Sequence, residues 1–593
     1  MVRTHLEKVW DIISPDPTTV RSLQQALGTA DDLFARMFVN RGITDFNEAK
    51  AFLNPDFDQL HDPMLMKDMP KAIDRLLRAM QAGERILIYG DYDVDGTTAV
   101  SLVYGVLSKH HDNIDYYIPD RYKEGYGISI TGMEYARDNN CQLVIALDCG
   151  IKAHGAIAKA NDLGLDVIVC DHHLPGDTLP PAYAILDPKQ SQCPYPFKEL
   201  SGCGIGYKLL QALGEQLGWD DQELWQWLDL VAISAACDIV PMLGENRVLT
   251  ALGLEKIQRK PLPGVAALLA DTQASGNHQK REQRPLTVSD LVFKIGPRIN
   301  AAGRMESARH AVELLLGHAT EAVEQQANLL RMHNDDRRQL DLDITDAAIK
   351  QLQEEPDFDD KRSIVIYNEA WSAFGKSVKG VIGIVASRLV DQFYKPTIVL
   401  TKSEGLLAGS ARSVHGFNVY AALLACKDYL EAFGGHKYAA GMQLREENLE
   451  RFAKAFEQVV ARTIDTHSLQ PRIAIEAEIG FDRIPTKRYG PESKFWRNLN
   501  RFAPFGPQNR RPVFLTRHVR ANGYAREVGN GHLRCTFIDG MRIEHPAIGW
   551  GLAHKIDLLS EGPVDICYVI DENAYNGYRN LQLELKDIKP SEG

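Results

Sequence analysis

The stretch Arg85-Ile-Leu-Ile-Tyr-Gly-Asp-Tyr-Asp-Val-Asp-Gly96 decides the fold. Its apolar start predicts a strand over 85–89, and the segment from Thr97 to Ser108 reads as a helix. Between them stand three carboxylates at alternate positions: Asp91, Asp93 and Asp95. Further on, 114–118, 142–147 and 165–170 are apolar runs separated by amphipathic segments. Continuous apolar strands alternating with helices predict a parallel α/β sheet covered on both faces. In such sheets ligands bind beyond the carboxyl ends of the strands.

Those ends carry chemistry. After the acidic turn come Asp148-Cys149-Gly150, then Asp171-His172-His173, and the apolar run 228–236 ends in Cys237-Asp238. Each has a plain reading when taken singly: a solvated acidic turn, a helix-capping aspartate, a surface histidine pair. An EF-hand is disfavoured for the first, because no Glu stands at the twelfth loop position. Four consecutive element ends of one sheet, each with a metal-capable side chain, argue against coincidence, and three unpaired carboxylates in one turn would repel one another. Carboxylates with imidazole suit Mn²⁺ or Mg²⁺, and the histidine favours Mn²⁺. Two such ions stabilise both the attacking and the leaving oxygen of a phosphoester displacement. Cys149, Cys170 and Cys237 adjoin these aspartates. Neighbours along a strand face opposite ways, so they read as small buried apolar residues and not as thiolate ligands.

The 593 residues correspond to about four domains at roughly 150 residues each. With 44% hydrophobic and 25% charged residues, the composition is that of a soluble globular protein, not a disordered, collagenous or coiled-coil one. No apolar run approaches the roughly 20 residues of a membrane span. Nine cysteines without a C-x-x-C pair argue against a disulfide scaffold or thiolate zinc site and point to the cytoplasm. Glu7 and Asp11, where a signal peptide needs an apolar stretch, point the same way. The net charge of −12 does not exclude nucleic acid, because binding depends on where the basic groups sit.

The organisation expected is a short-helix segment over 1–80, an α/β domain over 81–305 and connecting helices over 306–360. A second α/β domain follows over 361–468, and a small β-barrel over 469–593.

The four element ends resemble the motifs of the DHH phosphoesterase superfamily. Flanking segments resemble its single-strand-specific DNA exonucleases: 119–127, His172-His-Leu-Pro-Gly176, Gly296-Pro-Arg-Ile-Asn-Ala-Ala-Gly-Arg304, Gly409-Ser-Ala-Arg-Ser413 and 433–441. The resemblance covers nearly the whole chain. It implies a DHH parallel-sheet domain and a DHH-associated α/β domain joined by a long helix, then an OB-fold barrel. It implies two ions held by Asp93, Asp95, Asp148, His172 and Asp238, with Asp148 shared. Asp91 matches a position that is a ligand or supports one, His173 would face the scissile phosphate, and Asp171 would orient the imidazoles. Tyr89 stands where many members carry a histidine.

Ser410, Arg412 and the Gly434-Gly435-His436 turn correspond to a pocket for the DNA 5′ end. Arg121, Arg298, Asn300 and Arg304 match positions lining the cleft. A Trp-His pair usual in the family is replaced by Ser377-Val378-Lys379, with Trp371 further back. In the last domain, 502–514 interleaves aromatic and basic residues, and Arg501, Arg510, Arg511, Arg517, Arg520 and Arg526 suggest a single-strand groove with only Glu527 as nearby acid. Phe502, Phe505 and Phe514 read better as barrel core.

The activity implied is 5′→3′ hydrolysis of single-stranded DNA in repair and recombination. The implied partners are the single strand, a helicase and a single-strand-binding protein, with no membrane. Two rivals are a phosphoesterase on oligoribonucleotides or cyclic dinucleotides, which would not need the barrel, and a silent scaffold, which would have lost ligand carboxylates.

Overall fold

The strand predicted first runs Ile86–Gly90 and is buried along its whole length. It is β2, because a short strand β1, Val9–Ile12, precedes it. With β3 (Ile114–Tyr117), β4 (Leu143–Leu147), β5 (Asp166–Cys170) and β6 (Ala184–Leu186) it forms a parallel sheet in the order β3-β2-β4-β5-β6. Both faces are apolar. Ile86 and Ile88 join a core with Val100, Val103 and Ile205, while Leu87 and Tyr89 join another with Met133 and Ile157. The register sets Gly90, Leu147, Cys170 and Leu186 side by side, so Asp91, Asp148, Asp171 and Asp187 follow in a row along one edge.

The computed structural model describes residues 6–273, 285–305, 307–317, 320–375, 377–484, 492–540, 542–575 and 578–591. The chain divides into two compact units: Met1–Asp11 with Arg331–Ile473, and Ile12–Leu330 with Ala474–Gly593. The helix Thr320–Gln353 contains the boundary, between Leu330 and Arg331.

The smaller unit carries β7 (Ile364–Tyr367), β8 (Thr397–Ser403), β9 (Leu406–Arg412), β10 (Ala432–Gly435) and β11 (Ala439–Leu444) in the order β10-β11-β9-β8-β7. Only β7 and β8 run parallel among these described pairings. Trp371, displaced from its family position, is buried in this unit's core.

In the larger unit β13 (Ala477–Glu478), β14 (Phe514–Ala521), β15 (Arg526–Val528), β16 (His532–Ile538), β17 (Glu544–Gly549), β18 (Val564–Tyr575) and β19 (Tyr578–Pro590) form one sheet. Pairing of Arg520 with Ile538 and of Ala521 with Phe537 joins β14 to β16 and closes the barrel.

The first 80 residues are not one helical segment. Backbone pairing joins β1 to β12 (Arg472–Ile475). Helices Pro17–Ala26, Leu33–Val39 and Phe46–Leu53 send Leu23, Phe38 and Phe52 into the barrel's core beside Phe502 and Trp496. Helix Met69–Ala82 packs on the parallel sheet instead. No local pattern distinguishes these destinations, because an amphipathic helix specifies a buried face and not what buries it.

The basic-aromatic stretch 502–511 is likewise a joint more than a groove. Arg247, on helix Gly244–Arg259, is buried among backbone carbonyls. Its guanidinium donates to Phe52 O at 2.9 Å, Phe502 O at 2.9 Å, Ala503 O at 2.8 Å and Arg501 O at 3.1 Å, over the Phe52 ring at 3.8 Å. Burial, helped by the charge of Arg41, pushes this guanidinium down to about 9. Arg41 pairs with Glu476 at 3.0 Å and donates to Asn509 Oδ1 at 2.7 Å, and the Met242 N–H donates to Pro507 O at 2.8 Å. Arg247 thus ties its own helix to the end of helix Phe46–Leu53 and to the 501–503 segment before the barrel strands.

Arg247→Met should strand several buried carbonyls at roughly 1–3 kcal/mol each, lowering stability by at least about 3 kcal/mol. Urea unfolding measures it: a midpoint equal to the parent's would refute the keystone role. Arg247→Lys, with three donors for five, should recover only part of the loss.

Candidate metal centre

The acidic turn folds as strand, turn and helix. Asp93 caps helix Val94–Leu107, its Oδ1 accepting the Gly96 N–H at 3.0 Å. Gly96 is needed because a Cβ there would lie 2.4 Å from Asp91 O. Asp91 is fully buried; its Oδ1 accepts the Gly127 N–H at 3.1 Å, and its Oδ2 has no hydrogen-bond partner. Asp95 holds the next layer, taking the N–H groups of Gly202 and Cys203 at 2.7 and 2.8 Å and the Ser234 hydroxyl at 2.6 Å. These are the first amides of helix Gly202–Leu217, whose dipole favours the carboxylate.

Asp148 sits just past β4 with φ of 58°, a left-handed conformation rare for a non-glycine residue and common at functional sites. A Cβ on Gly202 would fall 2.6 Å from Asp148 Cβ, so a glycine is required where these two segments meet.

His172 Nε2 is the hub. It lies 3.2 Å from Asp148 Oδ1, 3.5 Å from Asp238 Oδ2 and 3.8 Å from Asp95 Oδ2. Asp93 lies close enough to Asp148 for each carboxyl to affect the other's ionisation. Asp148, His172 and His173 form one group able to hold an ion, and Asp95, His172 and Asp238 another. Asp238 comes not from a strand but from the end of helix Leu228–Cys237, which corrects the expectation of four ends in one sheet.

The electrostatics call for cations. Burial, then repulsion from neighbouring carboxylates, raises the carboxyls of Asp91, Asp93 and Asp148, and brings Asp238 up to about 8. Burial lowers the His172 imidazole, favouring the neutral form a metal requires. Asp148 Oδ1 and both His172 ring nitrogens are buried without hydrogen-bond partners. Hard oxygen donors around the Nε2 of one neutral imidazole fit Mn²⁺ or Mg²⁺. Burial raises the thiols of Cys149, Cys170 and Cys237, the last to about 12.

Asp171 has a different task. Burial works against its charge, but hydrogen bonds from His173 and from the N–H groups of Ile151 and His173 outweigh it and take the carboxyl to about 2. As a fixed acceptor it holds the Nδ1–H of His173 at 2.7 Å, which turns Nε2 to the Tyr126 hydroxyl at 3.2 Å.

Tyr89 is turned away from the acids; its hydroxyl donates to Gly127 O at 2.9 Å. Among the expected cleft residues, the guanidinium of Arg121 stacks on Tyr92 at 4.8 Å. Arg298 Nη1 donates to Leu268 O at 2.6 Å, and the Tyr122 hydroxyl donates to Arg304 O. Asn300 is half-buried on helix Gly296–Met305.

The sequence reading missed Asp187. It completes the row of edge aspartates, fully buried, with Oδ1 accepting the Lys189 N–H at 2.7 Å and its carboxyl raised to about 7 by burial. The three-residue strand β6 before it is too short to show a period.

In the smaller unit Arg412 Nη1 donates to Ser410 Oγ at 3.0 Å and Ala411 O at 2.8 Å, and no carboxylate pairs with it among the described residues. Gly383 lies against this pair, since a Cβ there would stand 2.9 Å from Arg412 Nη2. Gly434 and Gly435 end β10, and the His436 N–H donates to Ala439 O across the hairpin.

On the barrel the arginine count needs correction. Arg517 pairs with Glu478 and Asp565, and Arg511 with Asp571, acids remote in sequence. Arg520 and Arg526 are exposed and pair with no acid among the described residues. Arg534, not anticipated, stands opposite Arg526 across the β15–β16 ladder beside Tyr524, which is 80% exposed, around a cavity of about 420 Å³.

A parallel sheet gathering carboxylates and imidazole at its carboxyl edge defines a metal-dependent phosphoesterase of the DHH class. Residues 85–235 match the DHH family, N-terminal domain, residues 372–462 the DHHA1 domain, and residues 486–587 the RecJ OB domain. The chain is 35% identical to the single-stranded-DNA-specific exonuclease RecJ of Bacillus subtilis over 98% of its own length and 71% of that protein's. It is 32% identical to the RecJ of Salmonella typhimurium over 94% and 96%. A crystal structure of Thermus thermophilus RecJ with Mn²⁺ superposes with a TM-score of 0.80 at 26% identity, covering 99% of this chain and 80% of that one. The chain belongs to the RecJ family.

Asp148→Asn should remove a candidate ligand and one buried charge together. Without divalent metal the variant should melt at or above the parent's temperature. The parent should gain roughly 2.7 kcal/mol at Mn²⁺ a hundredfold above its dissociation constant, and the variant far less. Equal Mn²⁺-induced shifts in melting temperature would contradict the ligand assignment.

Proposed function

We propose that the chain is an exonuclease that hydrolyses single-stranded DNA from its 5′ end, in DNA repair and recombination, with Mn²⁺ or Mg²⁺. The observation that carries this reading is the convergence of Asp93, Asp95, Asp148, Asp238 and His172 at one sheet edge, in a chain that also bears a barrel with unpaired arginines. These five residues would hold two ions, with Asp148 shared. When bound, such ions stabilise charge on the attacking and leaving oxygens of the phosphodiester.

The remaining work falls to the chain's own groups. Asp171 fixes the His173 ring through Nδ1, and Nε2, which now meets the Tyr126 hydroxyl, would turn to a phosphate oxygen of the bound strand. Asp95 and its amide and hydroxyl donors brace the site from behind. Arg121, Arg298, Asn300 and Arg304 would line the path of the strand. Ser410, Arg412, Gly434, Gly435 and His436 would receive the 5′ phosphate, where a half-buried arginine without a protein counter-charge among the described residues gains an anionic partner. The barrel would hold downstream nucleotides through Arg520, Arg526 and Arg534, with Tyr524 as a stacking surface.

We place the protein in the cytoplasm, with a helicase and a single-strand-binding protein as partners. All nine cysteines are free, and no described helix is long and apolar enough to cross a membrane.

Single strands labelled at either end, with Mn²⁺ or with chelator, test activity, metal need and polarity together. Arg412→Ala should lose about ten- to a hundredfold in apparent affinity for 5′-phosphorylated strands, since a charge-assisted contact contributes roughly 1.5–3 kcal/mol. Equal losses on 5′-hydroxyl strands would remove the pocket assignment. The double variant Arg526→Ala, Arg534→Ala should bind long single strands with a log–log salt slope shallower by about 1.4, near 0.7 per phosphate released. An unchanged slope would place the strand elsewhere.

A further inference from the structure

The acidic cluster is rimmed by large apolar side chains that the metal chemistry does not use. Two of them directly follow site residues: Leu174 after His173 and Ile239 after Asp238. They are 63% and 68% exposed. The two segments meet at the cluster, where His172 Nε2 and Asp238 Oδ2 are 3.5 Å apart.

An exposed aliphatic residue needs no explanation by itself. The backbone of Ile239 does. It has φ of 60°, and a β-branched residue in the left-handed region is a genuine outlier. Glycine or asparagine would adopt this turn with less strain. The turn itself is well anchored: helix Leu228–Cys237 ends with the Asp238 N–H donating to Ser234 O at 2.9 Å, and Cys237 Sγ donates to Leu291 O at 3.7 Å. A strained position that keeps a bulky apolar side chain, and turns it to solvent where burial returns nothing, is the pattern of a residue held for contact with a ligand.

The ligand follows from continuity with the metal centre. Successive Cα atoms are about 3.8 Å apart, so a phosphodiester engaged by Asp238 and His172 brings its own nucleoside to Ile239 and Leu174. The apolar parts of that nucleoside are the base face and the sugar ring. We infer that Ile239, on the turn that carries Asp238, is a specificity residue that packs against the nucleobase next to the scissile phosphate and accepts it only when unstacked from a complementary strand. This rests on the metal-centre assignment above. The contact is apolar and indifferent to base identity, as degradation of any single strand requires. A paired base presents its edge to its partner and its faces to its neighbours in the stack, and so offers Ile239 neither.

The test is a substrate cycle on the full chain with Mn²⁺. Parent, Ile239→Gly and Ile239→Asn are each given a natural single strand and one whose first three 5′ nucleotides are abasic. The parent should prefer the natural strand in kcat/KM by about tenfold, on the scale of one base–side-chain contact. Both variants should lose most of that preference by slowing on the natural strand, while abasic strands are cut at the parent's rate. Ile239→Gly should melt no lower than the parent, because strain is relieved, and Ile239→Asn covers the case in which glycine loosens the turn. A parent without preference, or variants that keep the parent's preference, overturns the inference. A loss of the same size on both strands also overturns it, since that reports damage to the metal centre. Asp148→Asn, assayed alongside, separates the two readings: if it still cuts either strand near the parent's rate, the metal-centre assignment has failed and not merely the contact at Ile239.

Discussion

Carboxylates that cannot all be charged without a cation organise the centre of this protein. Asp91, Asp93, Asp148 and Asp238 converge where burial and mutual repulsion both oppose ionisation. Gathered carboxylates of this kind are destabilising when uncompensated, and a divalent cation would offset their repulsion. The surroundings show how the chain tolerates this. Asp95 accepts helix-terminal amides and a serine hydroxyl, Asp171 accepts amides and an imidazole N–H, and Asp148, in a left-handed backbone conformation, packs against Gly202, where a Cβ would clash.

The parallel sheet makes that convergence possible. Its register puts Asp91, Asp148, Asp171 and Asp187 on adjacent strand ends, and helix Leu228–Cys237 brings Asp238 to the same point. Strong hydrogen bonding and dense apolar packing on both faces hold the ends of these strands rigid, which a pair of metal sites needs. The Arg247 joint extends this rigidity to the barrel. Its partners are main-chain carbonyls, so it fixes position without adding another charge pair.

Much of this was legible in residue order. The alternating acids after an apolar strand, the Asp-His-His triplet and the spacing between them located the metal centre, because period and local turn chemistry are properties of neighbours along the chain. The barrel was legible as a run of short strands. Asp187 was not, because three residues of strand show no period. Nor was the fate of the basic stretch 502–511, whose composition suits a groove equally well; only Arg247 and Arg41, hundreds of residues away, make it a joint.

The same division holds for charge. Sequence order establishes that six arginines lie between 501 and 526 with one nearby acid. It cannot show that Glu478, Asp565 and Asp571 fold back on two of them, or that Arg534 joins Arg526. Coulomb interactions act through space and are screened within about 8 Å at physiological salt, so pairing belongs to the tertiary structure. Residue types, their local spacing and the fold class they require follow from the chain alone. Which carboxylates share a site, which arginines stay free for phosphate and which helices cover which core are decided when segments distant in sequence become neighbours.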